Sequence, residues 1–400
     1  MSIPVSIHAD RHLASLGGEP HVFHCHHYNC FLQKSIVDQS ALVQHEALLT
    51  DAATEVVFAE LQALGAHVDT SALFRQLGFG LLDTASLDQH GGIATVQASH
   101  YALGWRSKYE RSGAPVCFFN AGFIEAVARH RFGHAFTVTE TACVAAGAHA
   151  CHFEVKRGGR ASLPPSPGLG AVSTWPARTP FATKTSVDEA AIIQACAGLP
   201  LAGNAEGKID AFGVSLTRHF ANYYNLISYR FDAQMNESAG DAATEAARIL
   251  LKEAGQVCAF HTFGGIMQSA EWDALIKPQC ETTEDWVYGM VSVVNALGWG
   301  RWSVAALEPA RRLELVIDGS YESNGYLAAF GKSNTPRCYL ATGGTSGLMN
   351  LVYHADIQSR PALTPQFYER TYNEGHFFVA REVECRAMGA SQCRFVAERL

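Results

Sequence analysis

The sequence lacks long hydrophobic runs and clusters of basic residues. No stretch of about 18 apolar residues occurs, so no segment is expected to span a bilayer. The formal net charge is −8 without a basic run, so we expect neither nucleic acid nor a membrane as a partner. Residues 1–16 also lack the charged and then apolar build of a secretion signal. We therefore expect a cytoplasmic protein.

Two signatures of catalysis are also missing. The sequence has no Gly-x-Ser-x-Gly elbow of the serine hydrolases. The glycine-rich residues 343–347 lack the lysine of a phosphate-binding loop and predict a turn before a helix.

Eleven cysteines, an odd number scattered through 400 residues, argue against a secreted disulfide framework.

A Glu-x2-Cys-x7-Cys motif occurs twice and is the strongest feature of the chain. It contains Glu140, Cys143 and Cys151, and near the C-terminus Glu382, Cys385 and Cys393. Both copies have a glycine at the same offset and a cysteine upstream, Cys117 and Cys338. Three thiolates and a carboxylate would fill a tetrahedral zinc site and leave no open position, which is typical of structural zinc. The alternative is a set of buried thiols without metal.

Other segments recur in the same order with a drifting offset. Residues 222–225 correspond to 26–29, and residues 242–245 to 52–55. Duplication followed by loop insertion produces such a drift. We expect a first domain over residues 1–156, a Pro/Gly-rich linker and helix over 157–200, and a second domain over 201–400. The insertions in the second unit lie around residues 272–286 and 357–375. The chain would be a monomer with an internal pseudo-dimer, or a homodimer.

Local patterns predict several elements. Helices are expected over residues 38–49, 51–64 and 121–130, with Gly65 ending the second. Strands are expected to lead into and out of the first motif, over residues 135–140 and 151–155.

At the repeated motif, the chain resembles the 4-vinyl reductase domain family, which includes sensory domains of phenol- and xylene-responsive bacterial activators. The resemblance covers roughly residues 75–155 and 295–400. It implies an α/β (α+β) fold in two tandem duplicated domains, each with a helical part and a small antiparallel sheet flanked by helices. It also implies zinc on two ligand sets: Cys117, Glu140, Cys143 and Cys151, and Cys338, Glu382, Cys385 and Cys393. The activators continue into an ATPase module and a helix-turn-helix, which this sequence lacks, so a role in transcription is not implied.

The main candidates for chemistry are His24, His26, His27 and Tyr28. On a strand, His24 and His26 would share a face; on a helix, His24 and His27 would. Either pair could hold a catalytic metal such as iron, or act as acid and base, with a further ligand from elsewhere in the chain. The alternatives are that these histidines line a pocket without metal, or serve structure alone.

Aromatic residues near the predicted sheet are candidates for a ligand pocket. The resemblance implies a small aromatic ligand, with His100 or Trp105 bonding to a hydroxyl and Phe119 and Phe123 lining the pocket. The alternative for each is ordinary core packing.

Three functions follow. The first is a zinc-containing protein that binds a small aromatic or apolar molecule in its N-terminal domain. The second is a metalloenzyme that uses His24, His26 and His27 on a small-molecule substrate. The third and weakest is an interaction scaffold, which would expose a large apolar patch.

Overall fold

The computed structural model describes residues 3–8, 12–168, 180–182, 184–373, 375 and 377–399. These residues form helices and antiparallel strands, which confirms the predicted α+β class. The helices are α1 His26–Val37, α2 His45–Leu64, α3 Thr70–Gln76, α4 His100–Tyr109, α5 Phe118–Phe132, α6 Glu189–Ala197, α7 Ala221–Cys258, α8 Gly264–Met267, α9 Ala270–Leu275, α10 Thr283–Ala296, α11 Tyr321–Phe330, α12 Tyr339–Tyr353 and α13 Pro365–Asn373. The strands are β1 Ser6–His8, β2 Leu13–Leu16, β3 Glu19–Cys25, β4 Leu81–Asp83, β5 Gly91–Gln97, β6 Phe136–Ala142, β7 Cys151–Arg157, β8 Ile209–Ala211, β9 Val214–Phe220, β10 Arg301–Glu308, β11 Arg312–Asp318, β12 Phe378–Glu384 and β13 Cys393–Arg399.

Two of the sheets have the same four-stranded arrangement. One has the order β4-β5-β7-β6 and the other the order β10-β11-β13-β12. In each, the register shifts near the end of the third strand along the chain, between Glu140 and Ala142 in one sheet and between Glu382 and Glu384 in the other. Such a bulge changes the direction of nearby side chains, and in both sheets it lies at the glutamate of the repeated motif.

A third sheet joins the two halves of the chain. Its order is β1-β2-β3-β9-β8, so the hairpin β2–β3 lies beside the hairpin β8–β9. The central pair is antiparallel and sets His21 opposite Phe220 and His24 opposite Thr217. Backbone pairing therefore links residues before 157 to residues after 200.

The helix α7 is broken once. Gly240 has a φ of 73° inside it, a conformation that glycine adopts without the steric cost that other residues meet. The piece before Gly240 packs against α1, and the second piece continues through a π-helical turn, Ala259–Phe263, into α8. In the first half, α1 and α2 are separate helices in the corresponding positions along the chain.

The predicted helices agree in part with the observed ones. The helix expected over residues 51–64 lies within α2, which ends at Gly65 with a φ of +88°. Residues 121–130 lie within α5. The helix expected over residues 38–49 is wrong in its bounds, because α1 ends at Val37 and α2 begins at His45. Of the predicted linker, residues 169–179 and 183 lie outside the described residues.

Among the described residues, none of the helices combines the length and apolar character that crossing a membrane requires.

Candidate metal centres and ligand cavity

The first cysteine set is assembled by one helix start and one hairpin. Cys117 is the residue before α5, Cys143 follows β6, and Cys151 begins β7. Between the two hairpin cysteines the chain makes a 3₁₀ turn, Val144–Ala146, which ends at Gly147 with a φ of +102°. A side chain at Gly147 would be strained by this φ and would also meet the Arg111 guanidinium, so the glycine lets the chain return toward the sulfurs.

The distances within the first set fit a zinc ion. The Sγ atom of Cys117 lies 3.9 Å from that of Cys143 and 3.7 Å from that of Cys151, and the last two are 4.0 Å apart. With Zn–S bonds of about 2.3 Å, the edge of a regular tetrahedron measures about 3.8 Å. All four ligand atoms, including a carboxylate oxygen of Glu140, lie within 4.8 Å of one another.

The Glu140 carboxylate completes the first set. Its Oε2 atom accepts a hydrogen bond of 2.8 Å from the backbone N–H of Cys117. Its Oε1 atom is buried without a hydrogen-bond partner. Burial, followed by the neighbouring Cys143, raises the pKa of Glu140 to about 8. A buried carboxylate with one unsatisfied oxygen beside three thiols is the environment that a divalent cation stabilises.

The second set repeats this geometry. The Sγ atoms of Cys338 and Cys393 are 3.6 Å apart, and Oε2 of Glu382 accepts from the backbone N–H of Cys338 at 2.9 Å. Oε1 of Glu382 is again buried without a partner. The turn Arg386–Met388 ends at Gly389 with a φ of +104°. The inserted residues before Glu382 form α13 and leave the ligand geometry unchanged.

Across the part of the chain that the structure describes, these two sets are the groups in which three or more His, Cys, Asp or Glu ligand atoms come within 4.8 Å. The prediction that each motif and its upstream cysteine form a group able to hold a metal is therefore confirmed. The identity of the metal stays a prediction. Within the described ranges, His24, His26 and His27 belong to no such group.

The three predicted histidines lie on both sides of a strand-to-helix boundary. His24 is in β3, whereas His26 and His27 form the first turn of α1. The His24 ring is buried against the rings of Tyr28 and Trp299, at centroid distances of 4.3 and 4.6 Å. Burial lowers the pKa of His24 well below its ordinary value.

His26 and His27 have different surroundings from His24. Nδ1 of His26 lies 3.3 Å from the backbone oxygen of Ser215. The ring of His27 stacks on that of His261 at a centroid distance of 4.1 Å and lies tilted against that of His26 at 4.0 Å. His261 belongs to the π-helical turn, and nothing in its local sequence indicated this contact.

The predicted pocket residues are mostly part of a packed interior. Phe119 and Phe123 are fully buried, and the Phe119 ring lies 4.5 Å from that of Phe79. His100 is 5% exposed, and its Nε2 atom is 3.0 Å from Nδ2 of Asn29. Trp105 borders a depression of about 310 Å³ that Cys117 and Glu140 also line.

Beside these rings, a buried network of polar side chains crosses between the two halves. The hydroxyl of Tyr224 donates to Oδ1 of Asn29 at 2.6 Å, and Nδ2 of Asn29 donates to Oγ1 of Thr217 at 3.1 Å. The hydroxyl of Tyr101 lies 2.9 Å from Nε2 of His219. These bonds hold α1 and α4 on β9 and α7.

A cavity of about 1020 Å³ lies elsewhere, between helices of both halves. The first half contributes α1 and α4. The second half contributes the later part of α7, α12, the inserted α13 and β12. Its apolar lining consists of Phe31, Ile249, Val257, Leu363, Pro365, Phe377, Val379 and Ala380. Its polar lining includes His27, Lys108, Lys252, Glu253, Gln256, His261, Thr342, Ser346, Tyr368, Glu369 and Tyr372.

Of the eight residues predicted for catalysis or ligand binding, only His27 lines this cavity. Sequence reasoning missed most of the lining because it comes from the insertion and from α7. The insertion itself was visible as extra length before Glu382. Its side chains had no counterpart in the first half from which a role could be inferred.

Comparison with known protein families finds a match in the segment that contains the first motif. The family model of the 4-vinyl reductase domain matches residues 105–157, which contain the whole first cysteine set. This match confirms the predicted resemblance of that segment to the domain family. No curated protein matches the chain.

Two solved structures are similar to parts of the chain. The phenol-responsive sensory domain of the transcription activator PoxR, with phenol, shares 16% identity over 43% of this chain and 74% of its own, with a TM-score of 0.29. A vinyl-4-reductase family protein from Methanocaldococcus jannaschii shares 22% identity over 28% of this chain and 68% of its own, with a TM-score of 0.23.

Proposed function

We propose that this chain is a zinc-containing protein that binds a small, largely apolar molecule in the cavity between its two halves. The observation that carries the proposal is the cavity of about 1020 Å³, whose wall combines eight apolar side chains with polar and charged ones. Ligand sites are commonly clefts of about 300–1,000 Å³ with this kind of lining. The match of the vinyl reductase domain model over residues 105–157 supports binding, since the family resemblance implies a small ligand.

The proposed site differs from an N-terminal pocket around Phe119 and Phe123. Those rings are fully buried against other aromatic rings, so a ligand would have to displace packed side chains. The cavity needs no such displacement. It keeps a contribution from the first half through His27 and Phe31.

The two cysteine sets are proposed to hold structural zinc. Each supplies four protein ligands, which leaves no coordination position for a substrate. When bound, zinc would tie the start of a helix, α5 or α12, to the hairpin of its own sheet. We further propose that residues 1–156 and 201–400 are duplicated units, since their elements follow the same order and their motifs the same spacing.

A neutral fluorescent probe tests the binding site. N-phenyl-1-naphthylamine should bind the wild-type protein, and Ala380→Trp should weaken this binding about tenfold or more because the indole would fill the cavity. Ala66→Trp is the matched control: Ala66 is exposed after α2 and lies outside the cavity lining. Its affinity should stay within about twofold of wild type.

Zinc content and melting temperature of both variants would show that they fold. Equal affinity of wild type and folded Ala380→Trp would refute the cavity as the binding site, as would a wild-type protein that does not bind the probe.

A further inference from the structure

The lining of the cavity includes a charged group, the Lys108 ammonium, that forms no ion pair with a carboxylate of the described residues. Lys108 lies on α4 and lines the cavity beside His27 and His261. Its Nζ atom lies 5.5 Å from the ring centroid of Phe31 and 5.7 Å from that of Tyr109. Among the described residues, no aspartate or glutamate pairs with it, although Lys34, which lies over the same Tyr109 ring, pairs with Asp38.

Burial lowers the pKa of Lys108. The thiols of Cys25, Cys30 and Cys258 raise this pKa and offset the effect of burial only in part. Lys108 is half-buried, so its ammonium group keeps part of its hydration, and holding it against aromatic rings without a counter-ion carries a partial desolvation cost. A carboxylate that entered the cavity would remove this cost and would gain a charge-assisted hydrogen bond.

The rings of His27 and His261, which lie beside Lys108, are suited to donate hydrogen bonds as neutral imidazoles. Burial lowers the pKa of His261 to about 3, and it lowers that of His27 further. The positive charge of Lys108 contributes to both shifts. Both rings are therefore neutral near pH 7, and a neutral imidazole has one N–H to donate. Nδ1 of His27 is buried, and no described residue forms a hydrogen bond with it.

The lining also contains two acidic residues and a second lysine, Lys252. Glu253 and Glu369 both line the cavity, but within the described ranges neither forms an ion pair with Lys108. Burial raises the pKa of Glu253, and its charge contributes to the raised pKa values of Tyr109 and Tyr368. The apolar part of the wall consists of the eight side chains named above, from Phe31 to Ala380.

We infer that the cavity takes an amphipathic anion: an apolar body with one carboxylate-type group, which binds the Lys108 ammonium beside His27 and His261. This inference rests on the proposed function, since it requires that a ligand occupies the cavity. Beyond the proposed function, the inference specifies that the ligand is negatively charged and that its anionic group lies at α4. The cavity is also far larger than a single aromatic ring needs.

Two probes that differ by one anionic group test the inference. N-phenyl-1-naphthylamine is neutral, and 1-anilinonaphthalene-8-sulfonate carries a sulfonate on the same ring system. Lys108→Met should weaken binding of the sulfonate about tenfold, the ratio that corresponds to about 1.4 kcal/mol, and leave the neutral probe within about twofold. Lys252→Met is the matched control, because it removes the same charge from another part of the lining, and it should affect the sulfonate less.

A carboxylate provides a second measurement. Dodecanoate should displace the neutral probe at lower concentration than dodecanol from the wild type, and this preference should be lost in Lys108→Met.

The outcomes separate the two proposals. If the neutral probe binds the cavity but Lys108→Met weakens both probes equally, or neither, the inference about the anion is overturned and the binding site stands. If neither probe binds, or Ala380→Trp has no effect on either, the proposed function itself fails.

Discussion

Replacing one cysteine of the first set should remove one zinc ion per chain. In Cys143→Ser, a hydroxyl replaces a thiolate that lies 3.9 Å from Cys117 Sγ and 4.0 Å from Cys151 Sγ. Serine is a poor zinc ligand at neutral pH because its hydroxyl stays protonated, whereas zinc binds the thiolate. We expect two zinc ions per wild-type chain, one in Cys143→Ser, one in Cys385→Ser and none in the double variant.

The stability change should be large because the site is already arranged for the ion. The observed sulfur separations of 3.6–4.0 Å bracket the value of about 3.8 Å expected for tetrahedral zinc. Zinc binding therefore spends little free energy on ordering the cysteine and glutamate side chains. In small zinc-dependent folds, structural zinc contributes about 10–16 kcal/mol of apparent binding free energy, so its loss should exceed the effect of a typical hydrogen bond, about 1 kcal/mol.

Elemental mass spectrometry on protein purified without added metal measures the count, and thermal unfolding measures the stability. Cys196→Ser is the control, since Cys196 is a buried thiol of α6 outside both sets and its loss should leave two zinc ions. A Cys143→Ser protein with wild-type zinc content and melting temperature would refute the structural-zinc proposal, as would a wild type without zinc.

Two further substitutions test the packing. Gly122→Ala should lower the free energy of unfolding by about 1–3 kcal/mol, because the new Cβ would overlap the carbonyl oxygen of Thr50 in α2. Gly113→Ala is the control, since its new Cβ would meet no described residue other than its chain neighbours within 4 Å. Equal stability of Gly122→Ala and wild type in urea would contradict the close helix contact. Tyr224→Phe should lower the free energy of unfolding by about 1–3 kcal/mol, because Oδ1 of Asn29 would lose its donor. Tyr353→Phe is the control: it removes a buried hydroxyl that has no hydrogen-bond partner among the described residues, so urea unfolding should change little.

The metal sets could be predicted because their geometry is mostly local. Glu140, Cys143 and Cys151 lie on one hairpin, and the glycine between the cysteines turns the chain back. The second set was harder to predict, since its upstream Cys338 is 44 residues from Glu382. The ligand geometry is nonetheless repeated, and side chains of the inserted α13 line the cavity.

The surroundings of the histidines could not be predicted in the same way. The sequence of residues 24–27 is compatible with either a strand or a helix, and in the structure the change from strand to helix occurs within this segment, after Cys25. His24 therefore lies in the interior while His27 reaches the cavity. The partners Tyr224, Trp299 and His261 come from some 200 residues or more along the chain, and no local pattern specifies such contacts. The cavity depends on the same long-range packing.

The pairing of β3 with β9 ties the two halves of the chain together, so we expect neither half to be self-sufficient when the chain is cut between them. Either half alone would leave a central strand with an open edge, which invites association with another strand. A nick between Gly168 and Pro180 should therefore yield fragments that remain associated and recombine after separation. Two intact chains could also exchange these strands and form a swapped dimer. Each cavity would then combine α1 and α4 of one chain with α7 and α12 of the other.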